Sequence, residues 1–347
     1  MHFASDNAGP AHPKVMEALM RANEGYRLGY GADAEMAEVT RLVREIFEAP
    51  EAAVYLVGTG TAANVILLAT MANPWDTIFC TSMAHIHEDE CNAPEFYSGA
   101  KLTLVPDENA KLTPDGLREA MSSMGREVHG PQRGPVSLTQ ATEKGTVYSL
   151  KDLKDLTMVA REFNSKTHMD GARFTNALVT LGCTPAEMTW KAGIDTVSFG
   201  GTKNGLLGVE ACIIFDPKLA WEFELRRKRG GHLFSKHRYL SAQMLAYLTD
   251  DLWLEMAGAA NASTATLVNG LRTQPHVDLL YTPEANVTFA NFPRQDHKRI
   301  RDAGAQYYIS GGEPQSGDPK APLTARLVTD WSTTEASVLD FISLLAR

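Results

Sequence analysis

Val54-Tyr-Leu-Val-Gly-Thr-Gly-Thr-Ala-Ala-Asn64, running on into the apolar stretch Val65 to Met71, reads as a short apolar strand, a glycine-rich turn and a helix start. That order belongs to an open α/β sheet. Glycines at the turn allow close backbone approach, and the first N–H groups of the helix have no partner, so Gly58-Thr-Gly-Thr61 predicts a phosphate cradle. The plainer reading is a tight turn with Thr59 or Thr61 as helix cap. The stretch matches neither G-x-G-x-x-G nor the Walker pattern, which argues against a dinucleotide or nucleoside triphosphate.

Upstream, Met36, Val39, Leu42, Val43, Ile46 and Phe47 recur at helical spacing. Downstream, apolar runs at Thr77 to Thr81, Leu102 to Val105, Val136 to Thr139, Asp195 to Phe199 and Ala211 to Phe215 read as strands. Helical patterns such as Leu153 to Phe163 and Pro185 to Ala192 separate several of them. This alternation predicts a mostly parallel sheet between helices, in a large domain over residues 1–252. Residues 253–347 predict a smaller C-terminal α+β domain: a Gly/Ala/Asn-rich helix, strands at Val277 to Tyr281, Asn286 to Phe292 and Ala325 to Thr329, and a closing helix from Thr333. Polar loops are expected at Pro293 to Asp296 and Gly311 to Pro322.

The 347 residues carry 33 Lys+Arg against 42 Asp+Glu, a formal charge of −9, which disfavours nucleic acid as a partner. Cys80, Cys91, Cys183 and Cys212 form no C-x-x-C, so neither a zinc knuckle nor a dithiol pair is expected. The N-terminal stretch lacks a leader pattern and no apolar run approaches the ~20 residues that span a bilayer, so the expectation is a cytoplasmic protein without a membrane partner. His85, His87 and Cys91 could be read as metal ligands, but ring packing by His85 is the better reading and no metal is expected. The run Arg226-Arg-Lys-Arg229 reads as a solvated helix end, with Lys228 the member that could reach a neighbouring subunit's phosphate.

In an open parallel sheet the ligand sits beyond the carboxyl ends of the strands. Two further segments fall there: His168-Met-Asp-Gly-Ala-Arg173 and Ser198-Phe-Gly-Gly-Thr-Lys203-Asn-Gly. Asp170 alone could be a helix cap, and most lysines are surface charges. Lys203 lies among Gly200, Gly201 and Gly205, where a desolvated amine can act as a nucleophile. A phosphate cradle, a carboxylate and a buried amine are together what pyridoxal phosphate requires.

Ala4-Ser-Asp-Asn7, Tyr30-Gly-Ala-Asp33, Gly60-Thr-Ala-Ala-Asn64, Ala84-His85, His168 to Arg173, Phe199-Gly-Gly-Thr-Lys-Asn204 and Arg326-Leu-Val-Thr329, in this order, resemble the low-specificity L-threonine aldolases. The resemblance covers essentially the whole chain. It implies fold type I of the pyridoxal-phosphate enzymes, a homodimeric catalytic unit usually paired into a homotetramer, and an amino-acid substrate. It further implies Lys203 as the Schiff-base lysine, Asp170 on the pyridine nitrogen, Gly60 and Thr61 on the phosphate with Thr202 nearby, and His85 over the ring. Ser5, Arg173 and Arg326 would bind the substrate carboxylate, and Tyr30 would form a wall near the subunit contact. Many relatives carry a histidine in the segment Thr139-Gln-Ala-Thr-Glu143, where Glu143 stands here. The implied reaction is reversible cleavage of L-β-hydroxy-α-amino acids to glycine and an aldehyde, with His85 taking the hydroxyl proton directly or through a water. A phenylserine-preferring aldolase or a β-eliminating lyase is the alternative on the same scaffold, and a non-enzymatic module that uses Gly58 to Thr61 only as an anion site is the rival from another class.

Overall fold

A computed structural model describes residues 1–346. Strands β1 (Ala53–Val57), β2 (Asp76–Thr81), β3 (Lys101–Val105), β6 (Gln132–Thr139), β7 (Thr167–Gly171), β8 (Thr196–Gly200) and β9 (Glu210–Ile214) form one sheet, while β4 (Asp107–Glu108) and β5 (Lys111–Leu112) make a small separate ribbon. The order is β1-β9-β8-β7-β6-β2-β3, and β9 alone runs against the rest. Strands β2, β7, β8 and β9 are buried along their whole length, as expected where helices cover both faces.

Helix Gly60–Met71 is apolar all round, with every residue from Ala62 to Thr70 buried. A helix of that kind must lie inside, and this one packs between the sheet and helices Ala93–Ser98 and Ala220–Arg229. Helix Ala34–Ile46 shows the expected single face, burying Met36, Val39 and Val43 behind an Asp33 N-cap. The basic run departs from its sequence reading at Arg227. That side chain is buried, lies over the Tyr55 ring and donates to the Leu56 carbonyl.

A second, four-stranded antiparallel sheet, β10 (Asp278–Leu279), β11 (Val287–Pro293), β13 (Pro322–Val328) and β12 (Tyr308–Ser310), packs against helices Leu252–Arg272 and Arg294–Asp302, on which helix Glu335–Leu345 in turn packs. Pro293 to Asp296 is therefore the end of a strand and the first turn of a helix rather than a loop. Ile300 is the only apolar residue this helix buries, so no apolar period announces it, and it is anchored instead by His297 stacked on Phe292. Helix Leu252–Arg272 spans both cores. Its start (Leu252, Trp253, Met256) lies in the large one, and its end (Leu267, Leu271) in the small one. Phe3 also belongs to the small core, hydrogen-bonded through its backbone to Gln306 and Val328. Among the described residues no helix is long and apolar enough to cross a membrane.

Candidate active site

Beyond the carboxyl ends of β6, β7 and β8 lies a cleft of about 400 Å³, lined by Gly58 to Thr61, Asn64, His85, Glu90, Glu143, Asp170, Arg173, Thr202, Lys203 and Glu210 among others. The helix N-terminus opens onto it. Thr59 caps the helix by accepting from the Ala62 N–H at 3.1 Å, so the plain cap reading holds for Thr59. It does not exhaust the segment: a side chain at Gly58 or Gly60 would meet open space, while the N–H groups of Gly60 and Thr61 precede the first intrahelical bond. An anion fits there.

Asp170, at the end of β7, is buried and has both oxygens held. Oδ1 accepts from the Ala172 N–H at 3.0 Å and Oδ2 from Asn64 Nδ2 at 2.9 Å. Asn64 uses all its capacity, giving its second donor to Glu90 Oε1 (3.0 Å) and accepting from Ser198 Oγ (2.9 Å) and His168 Nε2 (3.0 Å). Burial drives the His168 pKa down to about 4, so the ring is neutral, Nε2 carries the proton and Nδ1 accepts from Thr196 Oγ1.

Lys203 sits on the turn Thr202–Asn204 after β8. The turn is built by close approach: a Cβ on Gly200 would come within 2.5 Å of the Ala172 carbonyl oxygen, and one on Gly201 within 2.7 Å of the Val209 carbonyl oxygen. The antiparallel return of β9 puts Glu210 opposite Gly200, where it accepts from the Gly201 N–H (2.7 Å) and Thr202 Oγ1 (2.5 Å). Asn204 fastens the other side, donating to Tyr247 Oη and the Trp253 carbonyl. Burial and the nearby Arg173 charge hold the Lys203 amine below the usual lysine range, against Asp6, Asp170 and Glu210.

Arg173 is committed to Asp6 in a two-pronged pair, Nε to Oδ2 at 2.7 Å and Nη2 to Oδ1 at 2.9 Å. Burial alone would raise the Asp6 pKa, but Arg173, Lys203 and a hydrogen bond from Asn286 overcome it and leave a net lowering. Burial, helped by the nearby Arg173 charge and opposed by Asp6, holds Arg326 below the usual arginine range, and it donates to the Ala4 carbonyl at 3.2 Å. Ser5 accepts from the Asn7 N–H at 3.1 Å. Gly60, Thr61, His85, Asp170, Arg173, Thr202 and Lys203 thus share the cleft, and Ser5 and Arg326 adjoin the Asp6–Arg173 pair outside its lining. Tyr30 does not join them in this chain. It is more than half exposed, with a left-handed backbone and the Lys228 ammonium 5.1 Å from its ring centre.

His85 begins a short helical turn after β2, its Nδ1 2.8 Å from Glu90 Oε1. That hydrogen bond, opposed by burial and helped by Asp170, raises its pKa. His87 lies 3.5 Å from Glu88, and among the described residues no group of three acids, cysteines or histidines is arranged to hold a metal. Asp6, Asn64, Glu90 and Glu210 are site-building residues without an assigned role in the sequence reading. Asp6 and Asn64 fall inside the quoted motifs, which was the available signal.

For pyridoxal phosphate the fit is complete in kind: an N–H cradle for the phosphate, a buried held carboxylate for the ring nitrogen and a desolvated amine share one cleft. Residues 2–291 match the β-eliminating lyase family. The chain is 39% identical to a low-specificity L-threonine aldolase of a Pseudomonas species, over 97% of this chain and 94% of that one. Among solved structures, a threonine aldolase of Leishmania major superposes with a TM-score of 0.92 at 27% identity, covering 99% and 98% of the two chains. A serine palmitoyltransferase of Sphingomonas wittichii, at 14% identity and a TM-score of 0.74 over 99% of this chain and 86% of its own, shares the fold. A chain that matches this family's pattern over most of its length, with the lysine, aspartate and glycine turn in one cleft, belongs to the β-eliminating lyases.

Proposed function

We propose that the protein is a pyridoxal-phosphate-dependent aldolase that reversibly cleaves L-threonine, L-allo-threonine and related L-β-hydroxy-α-amino acids to glycine and an aldehyde. The observation that carries this is the desolvated Lys203 amine in one cleft with Asp170 and the Gly58–Thr61 helix start. When bound, pyridoxal phosphate supplies an electron sink for the breaking Cα–Cβ bond. Lys203 would anchor it, Asp170 would keep the proton on its ring nitrogen, and the N–H groups of Gly60 and Thr61, with Thr202 beside Lys203, would hold its phosphate end. Arg173, Arg326 and Ser5 bind the substrate carboxylate, which sets the Cα–Cβ bond for cleavage; a planar guanidinium grips a carboxylate with two parallel bonds. His85, whose Nδ1 is committed to Glu90, would pack on the ring and leave Nε2 for the β-hydroxyl. We place the protein in the cytoplasm as a homodimer paired into a homotetramer, Tyr30 and Lys228 lying at the subunit contact, with the division into a large and a small domain at residues 252/253.

The test is incubation with L-threonine, L-allo-threonine and phenylserine, assaying glycine, aldehyde and ammonia separately. Glycine and aldehyde in equal amounts support the reading; ammonia in their place would establish a β-eliminating lyase. The Lys203→Ala variant should lose both the visible absorbance of the loaded enzyme and the cleavage. Retention of both would overturn the assignment.

A further inference from the structure

Glu143 lies on the loop after β6 and lines the same cleft. Its two oxygens are treated unequally. Oε1 accepts from Thr139 Oγ1 (2.9 Å) and from the His85 backbone N–H (3.0 Å), which fixes the carboxyl between the loops after β6 and β2. Oε2 is shut off from solvent and has no partner. A buried, unpartnered carboxylate oxygen is costly, so the site favours either a proton on it or a ligand O–H pointed at it. Of the other acids of the cleft, Asp170 has both oxygens held and Glu210 supports the lysine turn; Glu90 also carries a buried, unpartnered Oε2, but its Oε1 is paired with the His85 ring and Asn64, which makes it the counter-charge of His85 rather than a free acceptor. His85, favoured in its protonated form by Glu90, is better suited to donate to a hydroxyl oxygen than to strip its proton.

We propose that Glu143 is the general base of the cleavage, taking the β-hydroxyl proton on Oε2 while His85 orients the hydroxyl. This deepens the aldolase reading and rests on it. The O–H bond breaks and Oε2–H forms, the freed O–H pair becomes the aldehyde C=O bond, and the Cα–Cβ pair stays with Cα, which takes up a proton. Once the aldehyde leaves and water enters the cleft, Glu143 yields its proton to that water, which balances the proton that Cα takes from solvent, so a turnover is proton-neutral. Burial, with Asp170 adding like charge and hydrogen bonds from its own backbone N–H, Thr139 and the His85 N–H opposing, raises the Glu143 carboxyl to about 7, close to where a base works best at neutral pH. The other titratable groups within reach of its charge are Cys80 on β2 and Tyr148 on the following loop. His85, Lys203 and Glu90 share the cleft with it.

The experiment compares wild type with Glu143→Gln, both loaded with pyridoxal phosphate. Three quantities are read: kcat for L-threonine across pH, exchange of the glycine Cα proton into deuterated water, and the cofactor dissociation constant. Glycine has no β-hydroxyl, so its exchange does not need this base. The expected result is a fall in kcat of about 100-fold or more. The rising limb of the wild-type kcat profile near pH 7 disappears, while glycine exchange and cofactor affinity stay within about threefold. An unchanged kcat would overturn the proposal, as would a parallel loss of glycine exchange or cofactor binding, which marks a structural role. Failure of the aldolase reading is distinguishable, because wild type would then release no glycine from threonine.

Discussion

Removing Asp6 strands a charge. The Asp6–Arg173 pair has two short hydrogen bonds, and its side chains are 0% and 8% exposed, so Asp6→Ala leaves a guanidinium out of water with no counterion. Breaking one side of such a pair costs about 3–5 kcal/mol, far more than the pair contributes against an apolar replacement. Asn286 Nδ2 keeps the Thr329 carbonyl as an acceptor, so the lost charge partner dominates the cost. The asymmetry gives a sharp assay. In urea unfolding followed by fluorescence and circular dichroism together, Asp6→Ala should lose about 3–5 kcal/mol, and Asp6→Ala with Arg173→Met should recover at least about 2 of them. A second readout follows from Lys203, whose amine Asp6 pulls upward: in Asp6→Ala the pH dependence of its reaction with added pyridoxal phosphate should move to lower pH. A loss under about 1 kcal/mol in the single variant, or no recovery in the double one, would refute the reasoning.

Two further outcomes are expected. His168, His237 and His297 are buried and each held down to about 4, so the unfolded chain binds protons that the folded one does not. Stability should therefore be full above about pH 6.5 and fall as pH drops toward 4, by on the order of 2 kcal/mol per histidine at pH 5; a flat unfolding profile between pH 7 and 5 would contradict this. Asn64→Ala leaves Asp170 Oδ2, Ser198 and His168 each short of a partner and should cost about 2–4 kcal/mol with faster loss of cofactor on dialysis; undiminished retention would remove Asn64 from the support of Asp170.

The fold was legible where local chemistry and burial coincide. Val54 to Val57 is apolar throughout because both sheet faces are covered, and the glycines around Lys203 are there because two carbonyl oxygens lie where side chains would go. The Lys203 and Asp170 positions followed from strand ends. What stayed hidden depends on residues far apart in the chain. Asn64 takes its meaning from His168, Asp170 and Ser198, 104 to 134 residues away, and Asp6 from Arg173, 167 residues on. Glu210 is ordinary until the reversed strand brings it opposite Gly200. The helix Arg294–Asp302 escaped because it buries one apolar side chain, and β12 because, half-exposed at a sheet edge, it carries no apolar alternation.

Phe3, Ala4 and Asp6 are sewn to distant parts of the chain: Phe3 to Gln306 and Val328, Ala4 to Arg326, and Asp6 to Asn286 and, mid-chain, to Arg173. A ribosome releases these residues long before their partners in β11 and β13. The corner of Ser5, Asp6, Arg173 and Arg326 is therefore a late event of assembly. A nascent chain can pack the large sheet and set Lys203 in its turn, yet it holds an idle N-terminal strip until β11 and β13 emerge. Closure over so many residues is entropically slow. The corner thus closes only once β11 and β13 are in place, well after the Lys203 turn has taken shape.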